Sequence, residues 1–149
     1  MMARRIIIVG GSLSGAAVAA RIRSLDNQAE ITIFEKGATI AYAGTAWPGL
    51  LSDDSLTPRG QQTLTVDEFA HQYRVLVHTN SEVVAIHRLR RLIEVRTATD
   101  PQARPIKFKY DYLVLATGYL PVIPASFAHT PEGVFTVKSP ADMLQIRSY

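Results

Sequence analysis

Gly10 and Gly15 follow directly on a branched apolar run, Ile6-Ile7-Ile8-Val9, and Glu35 stands about 20 residues beyond Gly15. Residue types at this spacing suit the binding of a pyrophosphate and a ribose. Gly10 permits a tight turn after the apolar run. Gly15 lets a following helix lie close to the strand that precedes it. The helix N-terminus offers unpaired N–H groups and the positive end of its dipole to phosphate oxygens. Glu35 is placed to accept hydrogen bonds from ribose hydroxyls. One position departs from G-x-G-x-x-G: the middle glycine is Ser12. A serine there narrows the backbone approach, although its hydroxyl could itself bond a phosphate oxygen.

These residues need a strand, a turn, a helix and a second strand to position them, and the chain supplies that order. Four consecutive branched residues suit a strand buried on both faces of a parallel sheet. Val18, Ile22 and Leu25 then recur at helical spacing. Asp26-Asn27-Gln28 reads as a turn, and Glu30-Ile31-Thr32-Ile33-Phe34-Glu35 as the second strand. Together they form the phosphate-binding corner of a dinucleotide fold. The plainer alternative is a βαβ unit that binds nothing.

The remainder reads as more of the same α/β domain. Residues 38–63 form a long loop with Pro48 and Pro58, and long loops are usually functional or mobile. Tyr42 and Trp47 are its large apolar groups, serving either to cover a ligand or to anchor the loop. Thr65-Val66-Asp67-Glu68 is a capping box that opens a short helix through about Tyr73. Val75-Leu76-Val77 reads as a third parallel strand. Glu82 to Ile86, Leu92 to Thr97 and Lys107 to Tyr110 alternate like strands of an antiparallel meander. Arg88, Arg90 and Arg91 fall at its first turn, as a solvated hairpin tip. Tyr112-Leu113-Val114-Leu115-Ala116 is continuously apolar, suited to the centre of the parallel sheet, and ends in Thr117-Gly118 before Pro121 and Pro124. Val134 to Val137 reads as a short strand. Ser139 caps a last helix with Pro140 in its first turn.

Composition narrows the function further. The 149 residues suit one domain, and 47% apolar with 19% charged residues is an ordinary globular balance. A net charge of +3 without a basic run does not point to nucleic acid. With no cysteine, the chain has no disulfide, thiolate metal site or thiol nucleophile, which fits a reducing cytoplasm. Arg4-Arg5, the apolar stretch and Ala17-Val18-Ala19-Ala20 imitate a secretion signal, but Gly10, Gly11 and Gly15 interrupt the stretch. No apolar run is long enough to span a membrane. His71, His78, His87 and His129 have no metal-ligand spacing. Asp53 and Asp54 read as solvated, and Asp67 and Glu68 as helix-start charges.

The ensemble resembles the N-terminal FAD-binding part of the pyridine nucleotide-disulfide oxidoreductases. It is most similar to the branch of NADH oxidases, NADH peroxidases and coenzyme A-disulfide reductases. The residues that carry the resemblance run along the whole chain. They are Ile8-Val9-Gly10-Gly11 with Gly15, then Glu35-Lys36-Gly37, then Ala41-Tyr42-Ala43 followed by Pro48. Thr79-Asn80 with Glu82-Val83 comes next, then Asp111 to Gly118 with Pro121, and finally Gly133-Val134-Phe135-Thr136 with Asp142. The resemblance implies a Rossmann-like FAD/NAD(P)-binding fold that holds FAD. The pyrophosphate would lie along Gly10, Gly11, Ser12, Ser14 and Gly15, with Glu35 on the adenosine ribose. Lys36 and the Val83 backbone would border the adenine, and Ala116, Thr117 and Gly118 would line the cleft. The loop from Tyr42 to Thr45 would approach the flavin.

Two departures qualify that implication. Thr45 stands where this branch carries its catalytic cysteine, and a threonine hydroxyl cannot cycle through sulfenate or disulfide. Thiol-dependent turnover is therefore not expected. The family also continues into an NADH domain, a returning FAD strand and a dimerisation domain. The chain accordingly reads as a truncated FAD domain, incomplete at its C-terminus, without full turnover alone. The expected edge beside Tyr112–Ala116 would be covered by Val134–Val137 or by self-association. The alternatives are a non-catalytic adenine-nucleotide module and a folded remnant that binds nothing.

Overall fold

The first apolar run becomes β1, Arg5–Val9, in which Ile6, Ile7 and Ile8 are 8%, 4% and 0% exposed. Both faces of this strand are covered, so apolar residues can run consecutively rather than alternate. The computed structural model describes residues 3–42, 51, 64–100, 102–127 and 132–149. Two compact units divide the chain. The first comprises Met1–Tyr42 and Thr63–Thr117, and the second Ala43–Gln62 and Gly118–Tyr149.

In the first unit, β1 leads through α1, Leu13–Leu25, to β2, Glu30–Phe34. Then follow α2, Val66–Tyr73, and β3, Leu76–His78. The strands β4, Ser81–His87, β5, Leu92–Thr97, and β6, Ile106–Lys109, precede β7, Tyr112–Leu115. The order β3-β2-β1-β7 makes one parallel sheet, and β4-β5-β6 makes a second, antiparallel one. This is the α/β Rossmann-like architecture with a meander.

The pleat of β1 and β2 sorts their side chains between two cores. Ile6, Ile8, Ile31 and Ile33 share one core with Ala16 and Ala19 of α1 and Phe69 of α2. Ile7 and Phe34 share the other with Ile93 and Val95 of β5 and with Tyr110. The parallel sheet therefore has helices on one face and the meander on the other. Alanines on the buried side of α1 let the helix axis approach the sheet. Full burial of a residue such as Ile8 contributes about 2 kcal/mol.

Local signals match the expected elements closely. α2 begins with the expected capping box: Thr65 accepts the Glu68 amide, and the Glu68 carboxylate accepts the Thr65 amide at 2.8 Å. Asp26 organises the α1–β2 turn by accepting the amides of Gln28 and Ala29. Arg88 to Arg91 do form the β4–β5 turn.

Three expectations need correction. The third strand lies one residue later than expected, because the Val75 amide is taken by the Ala70 carbonyl. β7 lies at the end of the described sheet instead of its centre, with Tyr112 57% and Leu115 61% exposed. Apolar continuity reports what a strand can tolerate, not which neighbours it receives. Residues 134–137 form no strand. In the second unit, Gly133 takes a φ of +87° and Phe135 meets Tyr149 edge-on at 5.2 Å, beside α3, Pro140–Ser148. Valine-rich composition favours a strand only where a partner strand is present.

A candidate dinucleotide-binding corner

The turn after β1 is fixed by contacts within the chain. Gly10 has a φ of +98°, and its amide donates to the Phe34 carbonyl at 2.8 Å. A Cβ at Gly10 would run into the carbonyl of Ala116, whose own amide donates to Val9 at 2.8 Å. A Cβ at Gly15 would collide with the Gly10 carbonyl. A Cβ at Gly11 would press on Ile40, while the Gly11 carbonyl accepts the Ala41 amide at 2.8 Å. Packing alone thus requires glycine at Gly10 and Gly15, and the glycine pattern by itself does not establish a ligand.

The helix start carries different information. Ser12 is the N-cap of α1 with extended backbone, φ −65° and ψ −169°, which needs no glycine. Its hydroxyl makes no cap hydrogen bond, and the first turn contains no acid. The first intrahelical bond runs from the Ala16 amide to the Ser12 carbonyl at 3.0 Å. The amides of Leu13, Ser14 and Gly15 precede it and have no intrahelical partner. By contrast, α2 and α3 both have complete capping boxes and acids in their first turns. Among the described residues, the start of α1 differs from both in having neither a side-chain cap nor an acid.

Glu35 completes the corner. One carboxylate oxygen accepts the Gly11 amide at 2.7 Å and the other accepts the Gly37 amide at 2.7 Å. Each oxygen keeps a lone pair for another donor. The Glu35 backbone is held as well, its amide on the His78 carbonyl at 2.9 Å and its carbonyl on the Ser81 amide at 2.8 Å. Sequence reasoning placed Glu35 beside a ribose but missed its grip on the glycine turn.

Lys36 extends to the meander. Its ammonium lies 2.8 Å from Glu82, and Arg96 reaches the other oxygen of Glu82 at 3.1 Å. Those hydrogen bonds, Lys36 first and Arg96 second, hold the Glu82 carboxyl below the usual range. Val83 follows at a β-bulge, where the register shifts between Val83 and Ala85. The structure therefore brings Gly10, Gly11, Ser12, Ser14, Gly15, Glu35, Lys36, Ala116 and Thr117 to one end of the first unit. Gly118, with a φ of +73°, belongs to the second unit. Thr45, Trp47, Asp53, Asp54 and His129 lie outside the described residues.

At the opposite end of the parallel sheet, Arg5 and Asp111 join β1 to the entry of β7. The guanidinium meets the carboxylate at 2.9 and 3.2 Å, and the Arg5 amide adds a third bond at 2.9 Å. The Arg5 guanidinium holds the Asp111 carboxyl down at about 2. No composition signal pointed to this pair, because it joins residues far apart in the chain.

This arrangement can bind an anion at α1 and accept donors at Glu35. A family model for "Pyridine nucleotide-disulphide oxidoreductase" matches residues 4–148. The chain belongs to this family.

Among relatives within the pyridine nucleotide-disulphide oxidoreductases, the NAD(P)H coenzyme A polysulfide/persulfide reductase of Pyrococcus horikoshii is 28% identical. That match covers 99% of this chain and 32% of the relative. The coenzyme A disulfide reductase of Staphylococcus aureus is 32% identical, over 76% of this chain and 26% of its own length. The crystal structure of reduced Bacillus anthracis CoADR-RHD superimposes with a TM-score of 0.90 at 28% identity, covering 99% of this chain and 26% of that one. The chain thus spans roughly a quarter to a third of the length of the curated relatives it matches. Among its described residues, no helix is long and apolar enough to cross a membrane.

Proposed function

We propose that the chain is an FAD-binding domain of an NADH-dependent flavoprotein oxidoreductase, with no steady NADH turnover from these 149 residues alone. In this reading the 149 residues serve as one cofactor-binding domain. The observation that carries it is the pairing of an uncapped, acid-free helix start at Ser12 with the Glu35 carboxylate beside it. The donor set suits the group. Amides ahead of Ala16 and the Ser12 and Ser14 hydroxyls would hold the pyrophosphate. The remaining lone pairs of Glu35 would hold the adenosine ribose. Lys36 and Val83 would border the adenine, and Ala116, Thr117 and Gly118 the rest of the cofactor.

A bound flavin would accept a hydride and supply the redox chemistry. The protein groups would bind and orient it, with the β1 turn at Gly10 packed against the Ala116 carbonyl. The chain has no cysteine, and Thr45 stands where a thiol would be needed, so no thiol-dependent step is assigned to it.

A second reading is supported by the placement of the adenosine-half residues, all of which fall in the first unit. In it the domain holds ADP or NAD without redox function. Calorimetric titration with FAD and with ADP separates the two. Tighter binding of FAD supports the flavoprotein reading, and tighter binding of ADP supports the module. Binding of neither contradicts both and leaves a folded remnant. No strand pairs with the outer side of β7 among the described residues, and we propose that a second copy of this chain pairs there, which sedimentation over a concentration series checks.

A further inference from the structure

Lys36 is the cation nearest in sequence to Glu35, and it sits in the same short turn after β2. That turn is fastened to the β3–β4 corner by the Ser81 amide on the Glu35 carbonyl, at 2.8 Å, and by the Asn80 amide on the Gly37 carbonyl, at 2.9 Å. A flexible ammonium beside a ribose-binding acid would draw any phosphate carried on that ribose, since cations near this position accommodate ribose phosphates. In this chain the ammonium is already taken. Its Nζ is 2.8 Å from Glu82 Oε1, and Arg96 holds Glu82 Oε2 at 3.1 Å, so Glu82 carries a cation on each oxygen.

We propose that Glu82, by holding the Lys36 ammonium, makes the turn after β2 selective for an adenosine ribose that carries no phosphate. The inference rests on the dinucleotide-binding reading and names the ligand class that the site accepts. Unphosphorylated adenosine diphosphates and their dinucleotides bind, and those with a phosphate on the ribose are disfavoured. Two effects act in the same direction. The Glu35 carboxylate repels a ribose phosphate, and Glu82 withholds the cation that would offset the repulsion. The Lys36 side chain is 71% exposed, so it can swing toward a ligand once released.

Calorimetric titration of 5′-ADP and adenosine 2′,5′-bisphosphate into the full chain tests this. The proteins to compare are wild type, Glu82→Gln and Glu82→Gln with Lys36→Ala. Glutamine keeps the shape of Glu82 and removes its charge. The affinity ratio of the bisphosphate to 5′-ADP is expected to rise about threefold to fivefold in Glu82→Gln at low salt and less at high salt. It is expected to return to the wild-type ratio when Lys36 is also removed. Thermal unfolding and circular dichroism establish that each variant is folded. An unchanged ratio in Glu82→Gln, with 5′-ADP still bound, overturns this inference alone. A raised ratio that survives Lys36→Ala also overturns it, because the released charge would then be that of Arg96. Failure of wild type to bind 5′-ADP overturns the dinucleotide-binding reading and this inference together.

Discussion

The Glu35 carboxylate accepts the amide of Gly11 at 2.7 Å, tying the end of β2 to the turn after β1. The acid expected to hold a ribose thus also holds the turn on which a pyrophosphate would rest. Glu35→Gln puts an amide NH₂ toward one of the two N–H donors it now satisfies. In the absence of nucleotide, the variant is expected to lose about 1–2 kcal/mol of stability. Its ADP affinity is expected to fall about tenfold or more. Chemical denaturation without ligand and calorimetry with ADP read the two effects separately. A loss of affinity with unchanged stability would leave Glu35 as a ribose contact only.

Gly10 and Gly15 differ from Ser12 in why they occupy their places. Gly15→Ala puts a methyl group into the Gly10 carbonyl, and Gly10→Ala puts one into the Ala116 carbonyl at a φ of +98°. Backbone has to move in both cases. Each is expected to cost more than about 2 kcal/mol. Ser12→Gly should change stability by only a few tenths of a kcal/mol, about the usual cost of glycine at an N-cap. Urea unfolding midpoints of the three variants check this ranking.

Arg23 fastens α1 to its surroundings more extensively than its position on the helix suggests. Its guanidinium donates to the carbonyls of Tyr73, Asp26, Asn27, Ala29 and Arg74 at 2.8–3.2 Å. The ends of α1 and α2 and the turn into β2 meet on this one side chain. Arg23→Lys keeps the charge but cannot span five carbonyls, and it is expected to cost about 2 kcal/mol. Equal stability of Arg23→Lys and wild type in urea would contradict this.

The pH dependence follows from Asp111. Its folded-state carboxyl lies at about 2, below the ordinary 3.8, because the Arg5 guanidinium and amide bond the charged form. A carboxyl depressed on folding stabilises the protein above its ordinary value, and the contribution is lost as the pH falls toward the folded one. Stability should therefore decline between about pH 4 and about pH 2. Asp111→Asn should flatten part of that decline, as read from unfolding midpoints across the range.

The features legible in the sequence were those with local causes. The strand–turn–helix at Ile6 to Leu25, the capping box at Thr65, the cap at Ser139 and the meander alternation are each encoded within a few residues. Strand order is different. β7 pairs with β1 from more than a hundred residues away, through Ile8 opposite Val114, and its apolar run alone reads as a central strand although no strand pairs with its other side among the described residues. Residues 134–137 have the composition of a strand without a partner to make one. In the candidate corner, the glycines were legible because the backbone path requires them, whereas the bonds from Glu35 to the Gly11 and Gly37 amides were not. The ion pair of Lys36 with Glu82 depends on how the β3–β4 corner docks on Gly37, and it left no trace in residue spacing.

Equilibrium dialysis against FAD, read by visible absorbance, tests the central claim most directly. Wild type should concentrate flavin on its own side of the membrane, and Glu35→Gln should hold markedly less. An equal flavin concentration on both sides with folded wild type would contradict FAD binding by the corner formed by Gly10, Ser12, Gly15 and Glu35.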